Sequence, residues 1–251
     1  MALNSIDRET TINGALTALT AVGIEPPALP EYTALPACAT TVEDIADAVR
    51  ASKAADPYSD PRVQKLWIAR QVGTASWLYE SNRNHQSEAR AQALINARPG
   101  LTAQLAEKFD AAAEKLTAAA QVIGNRENIR ELSPGLDRPE EVHAALDVQY
   151  AEQAIEDVLR VRAALDSLAG PRMEHGGNTA IFGWANPTPA ERQRIGTLGR
   201  ETPWNTARAG VALAMAEDRE ELATRIREHE TAQQRARTAQ VRQAEAARRT
   251  R

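Results

Sequence analysis

Apolar residues recur at alternating intervals of four and three along two long stretches of the chain, the pattern of helices that each bury one face. In residues 101–123 the repeating positions are Leu105, Phe109, Ala112, Leu116, Ala119 and Ile123. In residues 140–168 they are Val148, Ala151, Ile155, Val158 and Leu165. Arg162 interrupts the second series. A Ser-Pro-Gly-Leu-Asp sequence at 133–137 predicts a turn between them, because proline removes a backbone donor and glycine permits tight geometry. We therefore expect an antiparallel helical hairpin.

The first 39 residues combine a helical stretch with a proline-rich one. Residues 5–22 have a helical apolar face, and Gly23 is a typical helix end. Four prolines between residues 25 and 39 predict an extended linker. Two arrangements remain open: the linker is a flexible tether, or it straps the first helix across the main body.

Two further helices are predicted before the hairpin. Thr40 and Glu43 have the spacing of a capping box, which predicts a helix to about residue 55. Asp60 and Pro61 are typical of the start of a longer helix, which we expect to end near residue 97 because Pro99 follows. The first half of this helix contains the densest group of large apolar residues in the chain, and its second half is almost wholly polar. We expect the helix to pack on the hairpin.

The C-terminal third begins with an irregular stretch at 172–186. Thr188, Pro189 and Glu191 then predict a short capped helix. Thr202 and Pro203 repeat the helix-start signal, and residues 203 to about 248 are expected to form one helix that tolerates an interior glycine at 210. Its last third has almost no large apolar side chain to bury.

Together these patterns predict an all-α protein: an elongated helical bundle with a coiled-coil-like antiparallel hairpin and a long C-terminal helix. The expected divisions are an N-terminal helix with its proline-rich linker (1–39), a helical core with the hairpin (40–170), an irregular loop with a short helix (171–202), and a long C-terminal helix with a basic tail (203–251).

Composition adds an expectation of self-association. Hydrophobic residues make up 43% of the chain, but 49 of them are alanine and aromatic residues account for only 4% of the chain. Alanine buries little area, and buried area stabilises by about 25 cal/mol per Å². Thin helix–helix contacts completed by a second chain are therefore expected, which predicts a homo-oligomer.

The chemistry of the sequence favours a non-enzymatic protein. The four histidines lie far apart, and the chain lacks a phosphate-binding loop, a nucleophile elbow and paired cysteines with zinc-ligand spacing. A single Glu-x-x-His step, Glu140 to His143, has a spacing found in helical metal sites. One step does not make such a site, and the helix dipole explains acidic residues at a helix start. We therefore predict no catalytic residues, no metal ligands and no cofactor.

Two groups of residues are candidates for binding a partner. Ile181, Phe182 and Trp184 are apolar residues in a stretch expected to be irregular, so they pack either on the chain's own helices or on a partner. The second group is the set of arginines in residues 231–251, which contain a single glutamate: Arg235, Arg237, Arg242, Arg248, Arg249 and Arg251. Since the net charge of the whole chain is −4, the rest is acidic. The tail suits either an acidic protein surface or nucleic acid phosphates, although no aromatic residue is interleaved for base stacking.

In composition the chain resembles structural and assembly proteins of bacteriophage particles, scaffolding proteins among them, through its acidic Ala/Glu/Arg-rich helices and basic C-terminal helix. That resemblance implies a structural or assembly protein acting through helix packing and terminal docking segments. A nucleic-acid-associated protein is the first alternative, and a helical enzyme or metal carrier is the second. With no secretion signal, no run of about 18 apolar residues and one cysteine, a cytoplasmic or virion-associated location outside membranes is expected.

Overall fold

The structure, a computed structural model, describes residues 5–35, 37–124, 139–168 and 177–249. Over these ranges it contains helices and no strands, which confirms the all-α class. The helices are α1 (Ser5–Ala21), α2 (Val42–Ala51), α3 (Pro61–Gly73), α4 (Ser76–Ile123), α5 (Pro139–Leu168), α6 (Pro189–Thr197), α7 (Pro203–Arg208) and α8 (Arg219–Arg249). Two 3₁₀ segments, Pro57–Ser59 and Gly177–Gly183, lie between them.

The chain divides into two compact units. The first unit comprises Met1–Asn13 and Pro27–Asn96, and the second comprises Gly14–Pro26 and Ala97–Arg251. Helices α1 and α4 both cross the division, so each unit contains one part of each of them.

In the first unit, α2 packs against α3 across a short connection. The predicted capping box at the start of α2 is wrong by one residue: Thr41 is the cap, and its hydroxyl accepts from the backbone N–H of Asp44. The predicted cap of α3 is confirmed, since the Asp60 carboxylate accepts from the N–H of Arg62 at 2.8 Å. The hydroxyl of Ser52 also donates to Asp60 at 2.8 Å, which joins the end of α2 to the start of α3.

The proline-rich linker is a strap along the first unit rather than a loose tether. Gln86 of α4 donates to the carbonyl of Thr33 at 2.7 Å and accepts from its N–H at 2.8 Å. Arg90 donates to the carbonyl of Pro30 at 2.8 Å, and Arg70 of α3 donates to that of Thr40 at 2.9 Å. Long polar side chains thus satisfy linker carbonyls that an extended, proline-containing segment leaves without backbone partners.

The prediction of a single helix over 61–97 is wrong in two respects. The helix is interrupted after Gly73, and its second part does not end near residue 97. α3 ends at Gly73, and α4 starts at Ser76 after a turn in which the N–H of Thr74 bonds back to the carbonyl of Arg70. α4 then continues through Pro99. An interior proline costs about 3 kcal/mol in a helix. Leu94 and Leu101, on either side of Pro99, are almost fully buried, and burial of this kind offsets that cost.

The predicted hairpin forms the centre of the second unit. Arg98 of α4 forms an ion pair with Asp166 of α5, and farther along Ala112 lines the same groove as Ala151. Low residue numbers of α4 thus meet high numbers of α5, so the helices are antiparallel. The repeating positions predicted on both stretches are buried, as is Arg162. The turn predicted at 133–137 lies outside the described residues.

The long helix predicted from residue 203 is wrong in its first part. α7 ends at Arg208, and Gly210 follows with a φ of +69°. Such a glycine ends a helix in the left-handed conformation, which other residues rarely adopt. The chain then extends beside the end of the second 3₁₀ segment, where the N–H of Ala214 donates to the carbonyl of Trp184 at 2.8 Å. α8 begins only at Arg219.

Candidate docking surfaces

The first predicted partner-binding group is buried within its own chain, so it offers no docking surface. Ile181 and Phe182 are 0% and 1% exposed and Trp184 is 8% exposed. The indole N–H of Trp184 donates to the hydroxyl of Thr206 at 3.2 Å. Their segment packs on α8, where Arg225 donates to the carbonyl of Phe182. These three side chains are therefore part of the protein's own core. Of the two alternatives, packing on the chain's own helices is the one observed.

A polar cluster borders that core. The guanidinium of Arg192 forms two hydrogen bonds to the Glu201 carboxylate, at 2.6 and 3.0 Å, and lies over the Phe182 ring at 5.4 Å. It also lies 3.3 Å from Nε2 of His229, whose ring packs against Phe182. Burial, followed by the positive charge of Arg192, lowers the pKa of His229, while the carboxylates of Glu201 and Glu230 act in the opposite direction. The imidazole is therefore held in its neutral form near pH 7.

A second buried charge lies within the hairpin. The Nε atom of Arg162 is 3.7 Å from the carboxylate of Asp166, which also pairs with Arg98. Both terminal nitrogens of Arg162 are buried without a hydrogen-bond partner among the described residues. Burial accordingly lowers the pKa of Arg162. The arginine at a core position of the apolar repeat was the sequence signal for this site.

The largest exposed apolar side chains of the described chain include a group around the α3–α4 turn. We call Trp67, Ile68, Val72 and Trp77 the aromatic patch. Their exposed fractions are 53%, 59%, 46% and 62%, respectively. Val72 and Trp77 line a shallow hollow of about 480 Å³ with polar but uncharged neighbours, among them Gln71 and Thr74. The sequence identifies these residues as part of the densest group of large apolar side chains, but it does not show that they are exposed.

The exposed apolar area of the aromatic patch follows from the exposed fractions of its four side chains. With about 250 Å² for a tryptophan side chain and about 150 Å² for an aliphatic one, its exposed apolar area is on the order of 450 Å². The largest apolar patch on a typical monomer is about 300–600 Å² and is often functional, and tryptophan is enriched at interface hot spots. The aromatic patch thus has the size and composition of an interface centre.

The basic tail is exposed where its side chains are described. Arg235, Arg237 and Arg242 are exposed and have no carboxylate partner within the described ranges. Arg248 and Arg249 belong to α8, of which only the backbone is described there, and Arg251 lies outside the described residues. Other arginines, such as Arg98 and Arg192, pair with carboxylates instead. The unpaired arginines of α8 are therefore available to an acidic partner.

A groove of about 410 Å³ lies along the hairpin, where the short side chains of alanines leave space. Lys108 and Lys115 line it together with Asp157 and Tyr150. The Asp157 carboxylate accepts hydrogen bonds from Arg160 and Gln153 on its own helix, so it does not form an acid–base pair across the groove. We attribute the groove to the alanine-rich packing of α4 and α5.

Among the described residues, the Glu140–His143 step does not belong to a larger group of metal ligands. Glu140 and His143 lie exposed in the first turn of α5. Over the described ranges there is no group of three or more His, Cys, Asp or Glu residues arranged to hold a metal ion. In the same ranges, no helix is long and apolar enough to cross a membrane. Compared with known proteins, the chain matches no family model, no curated protein and no solved structure.

Proposed function

We propose that the protein is a non-enzymatic structural or assembly protein that associates with copies of itself through the aromatic patch. The observation that carries the proposal is the exposure of two of the four tryptophans, Trp67 and Trp77, beside two exposed aliphatic side chains. The composition, similar in style to bacteriophage particle and scaffolding proteins, supports the same class of function. A virion-associated location follows for a phage-encoded chain.

A second copy is the occupant that best suits the aromatic patch. A two-fold contact uses the same surface on both chains, so that surface must be complementary to itself in shape and charge. The hollow in the patch is lined by Gln71, Val72, Thr74, Ala75, Ser76 and Trp77. None of these six side chains is charged. The hollow therefore pairs with its copy without bringing like charges together.

The area of the patch is also in the right range. A stable interface buries about 800 Å² on each partner, with an apolar centre and a polar rim. An apolar area on the order of 450 Å² supplies that centre. The surrounding polar residues of α3 and the α3–α4 turn would supply the rim. Burial of the two tryptophans is then expected to contribute most of the binding energy.

Sedimentation velocity of the full chain tests this proposal. The wild type is expected to show a dimer or larger species at low micromolar concentration. The variant Trp67→Ser/Trp77→Ser is expected to weaken that association at least about tenfold, because it removes the two hot-spot side chains. Tyr150→Ser is the matched control, since Tyr150 is a 70% exposed aromatic residue on α5, outside the patch. Its association should equal that of the wild type.

Two results of the sedimentation experiment would contradict the proposal. One is a wild type that stays monomeric at tens of micromolar. The other is a tryptophan variant that associates as strongly as the wild type while its helical circular dichroism is unchanged. Capture of a different protein by the patch, with no self-association, would also reject the second copy as its occupant.

Nucleic acid binding is a second candidate function, favoured by the exposure of Arg235, Arg237 and Arg242 without carboxylate partners among described residues. Phosphate contacts by these arginines predict an affinity that falls steeply with salt. Retardation of a DNA duplex in a native gel, with wild type and with a chain lacking residues 231–251, tests it. Equal retardation by the two chains, or none by the wild type, rejects this candidate.

A further inference from the structure

We propose that the arginine face of α8 binds the acidic face of α4 in a second copy of the chain. The inference rests on the proposed self-association and adds a second, electrostatic contact between copies. Both faces lie in the second unit, both are exposed, and their side chains repeat with the same seven-residue period.

On α4 the outer face alternates carboxylate and methyl side chains. Glu107, Ala111, Glu114 and Ala118 follow at intervals of four, three and four, and all are exposed. This is the spacing of a helix–helix seam. Asp110 adds a third exposed carboxylate to the same side. We call these residues the acidic seam. Among the described residues its carboxylates have no ion-pair partner. Lys108 and Lys115 lie about 90° around the helix from this face and line the groove, which Ala111 of the seam also borders.

On α8 the matching face alternates methyl and guanidinium side chains. Ala232, Arg235, Ala239 and Arg242 follow at intervals of three, four and three. They are exposed apart from the half-buried Ala232. We call these four residues the basic seam. Its arginines lack carboxylate partners within the described ranges. Thr231 and Thr238 lie on the same side, but their hydroxyls already donate to carbonyls of their own helix, at 2.8 and 2.9 Å.

The two seams are complementary in spacing. Glu107 and Glu114 are separated along α4 by about 10.5 Å, and Arg235 and Arg242 are separated along α8 by the same distance, at about 1.5 Å per residue. When the helices lie side by side, both glutamates meet both arginines in a single register. The alanines between them let the helix backbones approach, as small residues do at close helix contacts. A heptad repeat keeps such a contact in register.

The chemistry of the seams favours a protein helix over nucleic acid as the occupant. A seven-residue period is the period of a partner helix, and the small alanines between the arginines suit a close helix contact, whereas phosphate binding requires neither feature. The two seams belong to different helices. The contact is consequently either made twice within a two-fold pair or repeated from copy to copy, which extends an assembly.

Charge reversal and exchange test the inference. One variant carries Arg235→Glu and Arg242→Glu, and the other carries Glu107→Arg and Glu114→Arg. Each is examined by sedimentation velocity at low ionic strength, alone and mixed, in the wild type and in the Trp67→Ser/Trp77→Ser background. Each variant alone should associate at least about tenfold more weakly than its parent, and the mixture should recover, because reversed charges attract again. Arg237→Glu, compared with Arg235→Glu, is the charge-matched control and should leave association unchanged.

The outcomes separate this inference from the proposed function. Salt-sensitive association that survives in the tryptophan background and follows the charge exchange supports it. A mixture that associates no better than its components overturns it, as does an Arg237→Glu effect equal to that of Arg235→Glu. If the protein dimerises through the aromatic patch but none of the charge reversals changes the strength of its association, only this inference fails. If the wild type is monomeric at low salt, both fail.

Discussion

Replacing Gly73 by alanine tests whether the proline-rich linker rests on α3. A Cβ atom added to Gly73 would lie 2.6 Å from the Sγ atom of Cys38 and 2.8 Å from its Cβ atom. Both distances are well inside van der Waals contact. Cys38 belongs to the linker, so this overlap arises only when the linker lies against the end of α3. A linker that hangs free would leave room for the methyl group.

The expected sign of the change in stability follows from two opposing contributions. Alanine is favoured over glycine by up to about 1 kcal/mol in a helix. Forcing an extra methyl group into a close contact costs about 1–3 kcal/mol. The linker cannot easily withdraw, because Arg70 holds the neighbouring carbonyl of Thr40 at 2.9 Å. Gly73→Ala is therefore expected to lower the free energy of unfolding by about 1 kcal/mol.

Urea unfolding followed by circular dichroism measures this change, and a double-mutant cycle identifies its cause. Cys38→Gly removes both atoms that the new methyl group would meet. In that background Gly73→Ala should become neutral or stabilising, which gives a coupling of about 1 kcal/mol or more. Gly100→Ala is the matched control in α4, where an added Cβ has no neighbour within 4 Å among the described atoms. It should stabilise the protein by about 0.5–1 kcal/mol.

A single result would refute this reasoning. If Gly73→Ala raises the free energy of unfolding as Gly100→Ala does, no side chain of the linker lies against α3. The strap arrangement would then be wrong, and the linker would be a tether.

Three further predictions concern the second unit. Leu116→Asp puts an unpaired charge at a fully buried position of the hairpin and should cost several kcal/mol, on the order of 3–5; an unchanged thermal midpoint would contradict the hairpin. Arg162→Met should keep stability within about 1 kcal/mol of wild type or raise it, because it replaces a buried guanidinium whose two terminal nitrogens lack hydrogen-bond partners among the described residues, whereas Arg162→Ala should cost about 2–4 kcal/mol for the cavity; equal losses in urea unfolding would reject that account. The pKa of His229 is lowered in the folded state, so the unfolded chain binds a proton first as pH falls below about 6.5 and the free energy of unfolding should decrease there. His229→Gln should flatten this pH dependence, and identical slopes for both chains would count against it.

Local signals in the sequence determined most of the helices of this protein. The apolar repeats of 101–123 and 140–168 place buried side chains on one face of each helix whatever their neighbours are. Asp60 and Thr188 cap their helices as predicted, since an N-cap needs only a side-chain oxygen and the N–H groups of the next turn. These features depend on residues within one or two helical turns, so a single sequence contains them.

Tertiary packing decided the remaining boundaries. Pro99 would end an isolated helix, but burial of apolar residues on both sides keeps α4 continuous. Gly210 is tolerable inside a helix, yet here it takes a positive φ because the following residues bond to the second 3₁₀ segment. In both cases the local preference is of the order of 1–3 kcal/mol, and long-range contacts of comparable size decide the conformation.

Exposure, too, was decided by the tertiary structure. The sequence identified both Trp67 and Trp184 as members of apolar groups, but hydrophobicity alone does not say which group meets the chain's own core. The Trp184 side chain is buried and donates a hydrogen bond to Thr206, whereas the Trp67 side chain is exposed on α3. For the basic tail, by contrast, the sequence alone predicts exposure, because the tail contains almost no large apolar side chains. Arg235 is exposed, as expected. Sequence composition determined which segments cannot form a core, and only the packing of the helices determined which apolar side chains were left outside it, because burial is a property of contacts between distant residues.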